Sequence, residues 1–359
     1  MIGIYVHIPF CVKKCAYCDF YSISDYTLEK EYFKALKKEI ESFPDDKADT
    51  VFFGGGTPSS VNAEYIAEIA ELLKKKFSIV KNAEITLEAN PKTFDKKKLE
   101  IYKSCGINRL SMGLQSADNA ELERLGRIHS EAEFEVSYNL ARECGFSNIN
   151  IDIMYGLPFE TNASLKRTLD TVLRLNPEHI SAYTLTLNEN TPIMKMNYSY
   201  PDSDEVYESY KMICKAFGGY NHYEISNFGK IPCRHNLKYW NMDYYAGFGA
   251  AASGFYNNIR YTHKRSIKAY IDDCFGLETE EKLTKSDLIF ETIMLSLRTE
   301  SGVNCKYLKD NYNYSIYEKN KDLINRLVKE KIAEFTEDGF KLTEKGFFVS
   351  NSVISSLEF

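Results

Sequence analysis

The sequence predicts an α/β protein: a partial (β/α)6 barrel followed by a smaller, winged-helix-like α+β domain. Over the first two thirds of the chain, short runs rich in β-branched and aromatic residues alternate with amphipathic segments. Single helices between successive strands imply parallel pairing through right-handed crossovers. The glycine-rich and polar clusters fall just after the strands, where βα-barrels carry their working residues.

In order, the strands are IGIYVHI (2–8), TVFFGG (50–55), EITLEAN (84–90), NRLSMGLQ (108–115), NINIDIMYG (148–156) and HISAYTLTL (179–187). The amphipathic segments 27–43, 63–77, 96–106, 130–145 and 164–176 read as the intervening helices. Ser130 with Glu133 forms a capping box, and Gly106 and Gly145 fall where helix C-caps are expected. The barrel is expected over 1–219, and an aromatic, loop-rich connecting segment over 220–285. Residues 286–359 read as helices with a small hairpin.

A chain of 359 residues that is 44% hydrophobic and 27% charged has room for a sizeable core and more than one domain. A net charge of -6 gives no electrostatic footprint for a phosphate backbone, so no nucleic acid partner is expected. The winged-helix-like tail carries no strong basic surplus, which points to structure or partner docking. MIGIYVHIPF lacks the pattern of a signal peptide, and no apolar run approaches the roughly 18 residues of a membrane span. A cytoplasmic location is expected, with transient membrane association left open.

The nine cysteines are too sparse for a disulfide scaffold and odd in number. Cys105, Cys144, Cys214, Cys274 and Cys305 have no close partner in sequence and read as ordinary thiols. Cys11, Cys15 and Cys18 form C-x3-C-x2-C directly after the first strand. A structural zinc site needs four ligands, and no second C-x2-C follows, although His7 could supply the fourth. Three thiolates on a loop can instead hold a 4Fe-4S cluster by three irons and leave the fourth open.

This spacing, with Tyr17 just before the last cysteine and Gly-Gly-Gly-Thr-Pro (54–58) after the second strand, resembles the radical S-adenosylmethionine superfamily. The resemblance implies a 4Fe-4S cluster on the three cysteines and S-adenosylmethionine chelating the open iron. It also implies a reductant such as flavodoxin or ferredoxin, and leaves open whether the cofactor is turned over. Gly55, Gly56 and Thr57 are then expected against its methionyl end, where glycines let backbone N–H groups approach a ligand. Across essentially the whole chain the sequence is similar to the oxygen-independent coproporphyrinogen III oxidase-like family. Glu88 (LEANP), Gln115 (SMGLQS), Arg127 (LGRIHS), Asp152 (NIDIMYGLP) and Tyr5 (YVHIPFC) match its cofactor-contacting positions. Carboxylates suit ribose hydroxyls or an ammonium, and an arginine suits a carboxylate.

Within that family two readings compete, the oxidase and the HemW-type heme chaperone. The oxidases continue the motif with a fourth cysteine, where this sequence has Phe20, and carry an extension before the first strand, which here begins at residue 2. His235-Asn236-Leu237-Lys238-Tyr239-Trp240 resembles the H-N-x-x-Y-W motif linked to heme binding in the chaperone branch. Imidazole is a good axial ligand and aromatics stack on a macrocycle, so His235, Asn236, Tyr239 and Trp240 are expected at heme. The axial ligand stays open, with Cys233, His222 and His263 as rivals. FGAAASGF (248–255) departs from the family's G-x-G-A-H-S by placing Ala252 where a histidine is common. The resemblance thus implies a heme chaperone that passes heme to respiratory apo-hemoproteins, with the oxidase as the alternative and a zinc-stabilised barrel as a third reading.

Overall fold

A computed structural model describes residues 1–359. Six parallel strands pair in sequence order: β1 (Ile2–Ile8), β2 (Lys47–Gly55), β3 (Ser78–Ala89), β4 (Arg109–Gln115), β5 (Ile149–Tyr155) and β6 (His179–Thr184). They are covered on both faces, so β4 is buried at every position, its polar residues included. The helices Glu29–Ser42, Ala63–Lys76, Lys96–Ser104, Glu131–Glu143 and Asn162–Leu175 occupy the expected crossovers. Ser130 and Glu133 form their capping box, and Gly106 and Gly145 take positive φ just past their helices. A short helix, Asn119–Arg124, capped by Asp118, was not anticipated.

The stretch 220–285, expected to be loop-rich, also carries six short strands. It supplies β7 (Asn221–Glu224), β8 (Asn227–Gly229), β9 (Tyr245–Phe248), β10 (Ser253–Tyr256), β11 (Ile259–His263) and β12 (Leu277–Lys282). β9 adds parallel to β1, and β8 adds antiparallel to β6, giving a 12-stranded sheet in the order β12-β11-β10-β9-β1-β2-β3-β4-β5-β6-β8-β7. Both edges of the six-stranded core are thereby paired. These strands run three to six residues and draw on Tyr, Asn and Gly, so hydrogen bonding to an existing edge makes them strands where composition does not.

The tail has its own core of 15 residues, including Ile293, Leu308, Ile324 and Phe340, beside the barrel's core of 55. It folds as helices around a small antiparallel sheet of β13 (Val303–Asn304), β14 (Ala333–Phe335) and β15 (Gly339–Leu342). Tyr210 donates from its hydroxyl to the Glu344 carbonyl at 2.9 Å, and the Ile225 N–H donates to the Arg298 carbonyl at 3.0 Å, joining tail to barrel. No helix is long and apolar enough to cross a membrane.

Candidate functional site

The loops after the strands surround a cavity of about 700 Å³, within the range of roughly 300–1,000 Å³ usual for small-molecule sites. Cys11, Cys15 and Cys18 line it from the loop after β1. That loop is pinned by backbone bonds from Cys11 N–H to the Ile23 carbonyl and from Ala16 N–H to the Leu125 carbonyl, both 2.9 Å. Cys11 is buried, its sulfur 3.2 Å from the Thr57 hydroxyl, while Cys15 and Cys18 are half-buried. Burial pushes the Cys18 thiol up to about 11, so metal binding there displaces a proton.

The donor set fits a cluster better than one ion. Cys11, Cys15 and Cys18 are not among the side chains whose ligand atoms lie within 4.8 Å of one another, as a single metal would require. His7 cannot complete a zinc site from where it stands. Its Nδ1 bonds the Tyr5 hydroxyl at 3.0 Å and its Nε2 the Tyr21 carbonyl at 2.9 Å. Burial lowers its pKa to about 4, keeping the ring neutral.

Gly55 and Gly56 face the cysteine loop and line the cavity with Thr57. Gly55 has φ +115°, and a Cβ there would lie 2.8 Å from the His7 ring. At Gly56 a Cβ would lie 2.6 Å from the Phe10 carbonyl oxygen, a backbone atom that cannot swing away. The turn therefore demands glycine on steric grounds and leaves its backbone open to a ligand.

Glu88, Gln115, Arg127 and Asp152 line the same cavity, as do Tyr5 and Tyr17. Burial first, and then the charge of Asp152, raise the Glu88 carboxyl to about 8, against the Gly55 N–H that donates to it at 3.2 Å. Burial likewise raises Asp152, opposed by hydrogen bonds from Asn150 and Ser181. Two neighbouring buried carboxyls, both raised above their ordinary values, are suited to meeting hydroxyls or a cation. Gln115 ends β4 at φ +69°, a conformation rarely adopted without a constraint from its surroundings. Arg127 donates to Asn90 Oδ1 at 2.6 Å, to the Gly113 carbonyl at 2.8 Å and to the Cys15 sulfur at 3.6 Å, bridging the cysteine loop to the strand ends. Its buried Nε has no partner, a donor free for an acceptor in the cavity.

Sequence reasoning missed Asn90, Asn150 and Arg109. Asn90 donates to the Thr57 hydroxyl at 3.0 Å, joining the glycine turn to Arg127. Asn150 donates to Asp152 at 2.6 Å and accepts from the Ser181 hydroxyl at 3.1 Å. Arg109, buried and with an unpaired Nε, lines the cavity from the start of β4. A charged residue opening a strand buried at every position was its signal.

His235 to Trp240 closes the opposite end of the barrel. The helix Arg234–Trp240 lies against the beginnings of the strands: His235 Nδ1 bonds the Thr50 hydroxyl at 2.8 Å, and Lys238 pairs with Asp49 at 2.8 Å. Glu84 accepts from the N–H groups of Arg234 and His235, both at 3.1 Å, so a carboxylate caps this helix start. The other His235 nitrogen bonds the Tyr239 hydroxyl at 2.8 Å, and the ring stacks on Phe52 at 5.3 Å. Burial lowers the His235 pKa to about 3. His235, Asn236 and Tyr239 line the cavity floor, whereas Trp240 does not. Among the rivals, Cys233 is buried with its thiol 3.4 Å from Glu84, and His263 Nε2 lies 2.8 Å from Glu39. Neither these two nor His222 lines the cavity.

Residues 5–172 match the model of the radical SAM superfamily, and residues 283–349 match that of the HemN C-terminal domain. The chain superposes on the coproporphyrinogen III oxidase HemN from Escherichia coli, a radical SAM enzyme, with a TM-score of 0.85 at 23% identity, over 99% of this chain and 89% of that one. The fold is thus that of a radical S-adenosylmethionine protein, a class whose cofactors are a 4Fe-4S cluster and S-adenosylmethionine. Proteins named heme chaperone HemW are similar over their full length. Those from Bacillus subtilis (33% identical, 99% of each chain) and Escherichia coli (31%, 98% of this chain and 97% of the other) are two of them. The chain belongs to this HemW family within the radical SAM superfamily.

Proposed function

We propose that the protein is a heme chaperone that holds a 4Fe-4S cluster, S-adenosylmethionine and heme and passes heme to apo-hemoproteins. The observation that carries this reading is the full-length similarity to proteins named as heme chaperones, at 33% identity over 99% of both chains in one case. Residue 20 supports it: where an oxidase is expected to carry a fourth thiol, Phe20 stands 71% exposed at the cavity, near Val12 at 54%. Exposed apolar side chains beside Lys13 and Lys14 suit a flat macrocycle that carries propionates.

Cys11, Cys15 and Cys18 would hold the cluster, and Tyr17 and Arg127 brace their loop. Bound there with S-adenosylmethionine, the cluster supplies one-electron chemistry. Gly55, Gly56 and Thr57 admit the ligand's amino-acid end to the backbone, while Glu88 and Asp152 receive hydroxyl or cationic groups. Gln115 and Tyr5 complete the wall.

For heme, the segment from His235 to Trp240 is the proposed docking element, with Asn236 and Tyr239 on the cavity wall. Coordination of heme iron by His235 would require one of its two bonds, to Tyr239 or to Thr50, to open, at about 1 kcal/mol, while the other could persist and orient the ring. Heme titration of the wild type and of His235→Ala, run beside a coproporphyrinogen turnover assay, tests the reading. Saturable heme binding without decarboxylation is expected; robust formation of protoporphyrinogen would overturn it in favour of the oxidase.

A further inference from the structure

Outside the cavity, one cluster of metal-ligating side chains stands apart. Cys214, on the helix Ser203–Ala216, His222 on β7 and Glu344, at the start of the tail helix Glu344–Phe348, bring their ligand atoms within 4.8 Å of one another. Two of these elements belong to the barrel sheet and its cover, and the third belongs to the tail.

The His222 ring is posed as a metal ligand is. Its Nε2 is buried and has no hydrogen-bond partner. A ring nitrogen without a hydrogen-bond partner can present its lone pair to a metal, as a ligating imidazole must. The ring cannot turn away, because it stacks on Phe228 at 4.0 Å between centroids and meets Phe347 edge-on at 5.2 Å. A buried nitrogen left without a hydrogen-bond partner is destabilising and calls for one. The Cys214 thiol and a Glu344 carboxylate oxygen lie within 4.8 Å of a ring nitrogen.

We propose that Cys214, His222 and Glu344 form a zinc site, separate from the cluster cysteines, that clips the C-terminal domain to the barrel. One thiolate, one imidazole and one carboxylate are the borderline donor set zinc prefers over magnesium or calcium, and exposed Glu344 leaves a fourth position for water. Binding replaces the Cys214 proton, so the site takes up metal with proton release.

The test uses the full chain with its iron-sulfur cluster reconstituted, and a second form in which Cys11, Cys15 and Cys18 are all alanine. After zinc loading and desalting, both forms are expected to retain about one zinc per chain by elemental analysis. Cys214→Ser and His222→Ala are expected to lose it. Glu344→Gln, an exposed change that leaves the fold intact, is expected to weaken zinc affinity roughly tenfold or more. With cobalt(II) as the probe, a thiolate-to-metal absorption band is expected in the triple-alanine form and not when Cys214→Ser is added. Zinc that disappears with the three cluster cysteines, or that is unaffected by Glu344→Gln, would overturn the proposal.

Discussion

Glu88→Gln should weaken the ligand site and at the same time relieve the ligand-free fold at high pH. In the wild type the carboxyl is raised from 4.5 to about 8 by burial and by Asp152. A carboxyl whose folded pKa lies above its unfolded value contributes stability that is complete below pH 4.5 and is lost as pH rises through about 8. Each pKa unit is worth about 1.4 kcal/mol, so the ionised wild type carries a penalty on the order of a few kcal/mol that glutamine does not. The ligand-free variant should therefore lose less stability than the wild type between pH 6 and pH 9, read by chemical denaturation at both. Ligand binding should move the other way. A hydrogen bond accepted by a carboxylate contributes about 1.5–3 kcal/mol and a neutral acceptor roughly half, so the variant should bind S-adenosylhomocysteine about tenfold more weakly at pH 9. Below about pH 8 the wild type must first lose a proton, at up to tenfold per unit, so the ratio should fall towards one near pH 7. Taking the ratio of dissociation constants by calorimetry cancels the ligand's own titration. A ratio of one at pH 9, or a ratio independent of pH, would refute a role for the Glu88 carboxylate in binding.

Gly56→Ala should abolish S-adenosylmethionine binding and lower stability by about 1–3 kcal/mol in urea titrations, because its Cβ would press on the Phe10 carbonyl at 2.6 Å. His235→Ala removes two buried hydrogen bonds and a stacked ring, and should cost about 2–4 kcal/mol by the same measurement, with Thr50 left unpaired. His7 and His235 are lowered to about 4 and 3, so their contribution is present above pH 6.5 and lost as pH falls below it; acid denaturation should begin there and be less steep in His235→Ala. Phe20→Ser should weaken heme binding by about five- to thirtyfold in absorbance titrations, the loss of one exposed aromatic contact, and leave the cluster's spectrum unchanged.

The six core strands were legible because parallel strands covered on both faces are rich in apolar residues, and Ile149–Tyr155 is buried at all but one position. The cavity's upper rim was legible too. Cys11 to Cys18 and the glycines at 55 and 56 are local in sequence, and the loops after parallel strands converge by construction. What was not legible depends on contacts distant in the chain. The short strands at the sheet edges exist because β1 and β6 offer unpaired edges, which composition cannot report. The floor was hidden in the same way: His235 finds Thr50 across 185 residues, and that bond alters its availability as a ligand. Arg109 and Asn150 read as strand residues, and only the closing of the barrel turned them into cavity walls.

The central claim, a three-thiolate cluster open to S-adenosylmethionine, is tested most directly by electron paramagnetic resonance of the anaerobically reconstituted, dithionite-reduced protein. About four irons and four sulfides per chain are expected, with a reduced-cluster signal that changes shape when S-adenosylmethionine is added and vanishes in Cys11→Ala, Cys15→Ala and Cys18→Ala. A signal indifferent to S-adenosylmethionine, or a cluster that survives loss of these cysteines, would contradict it.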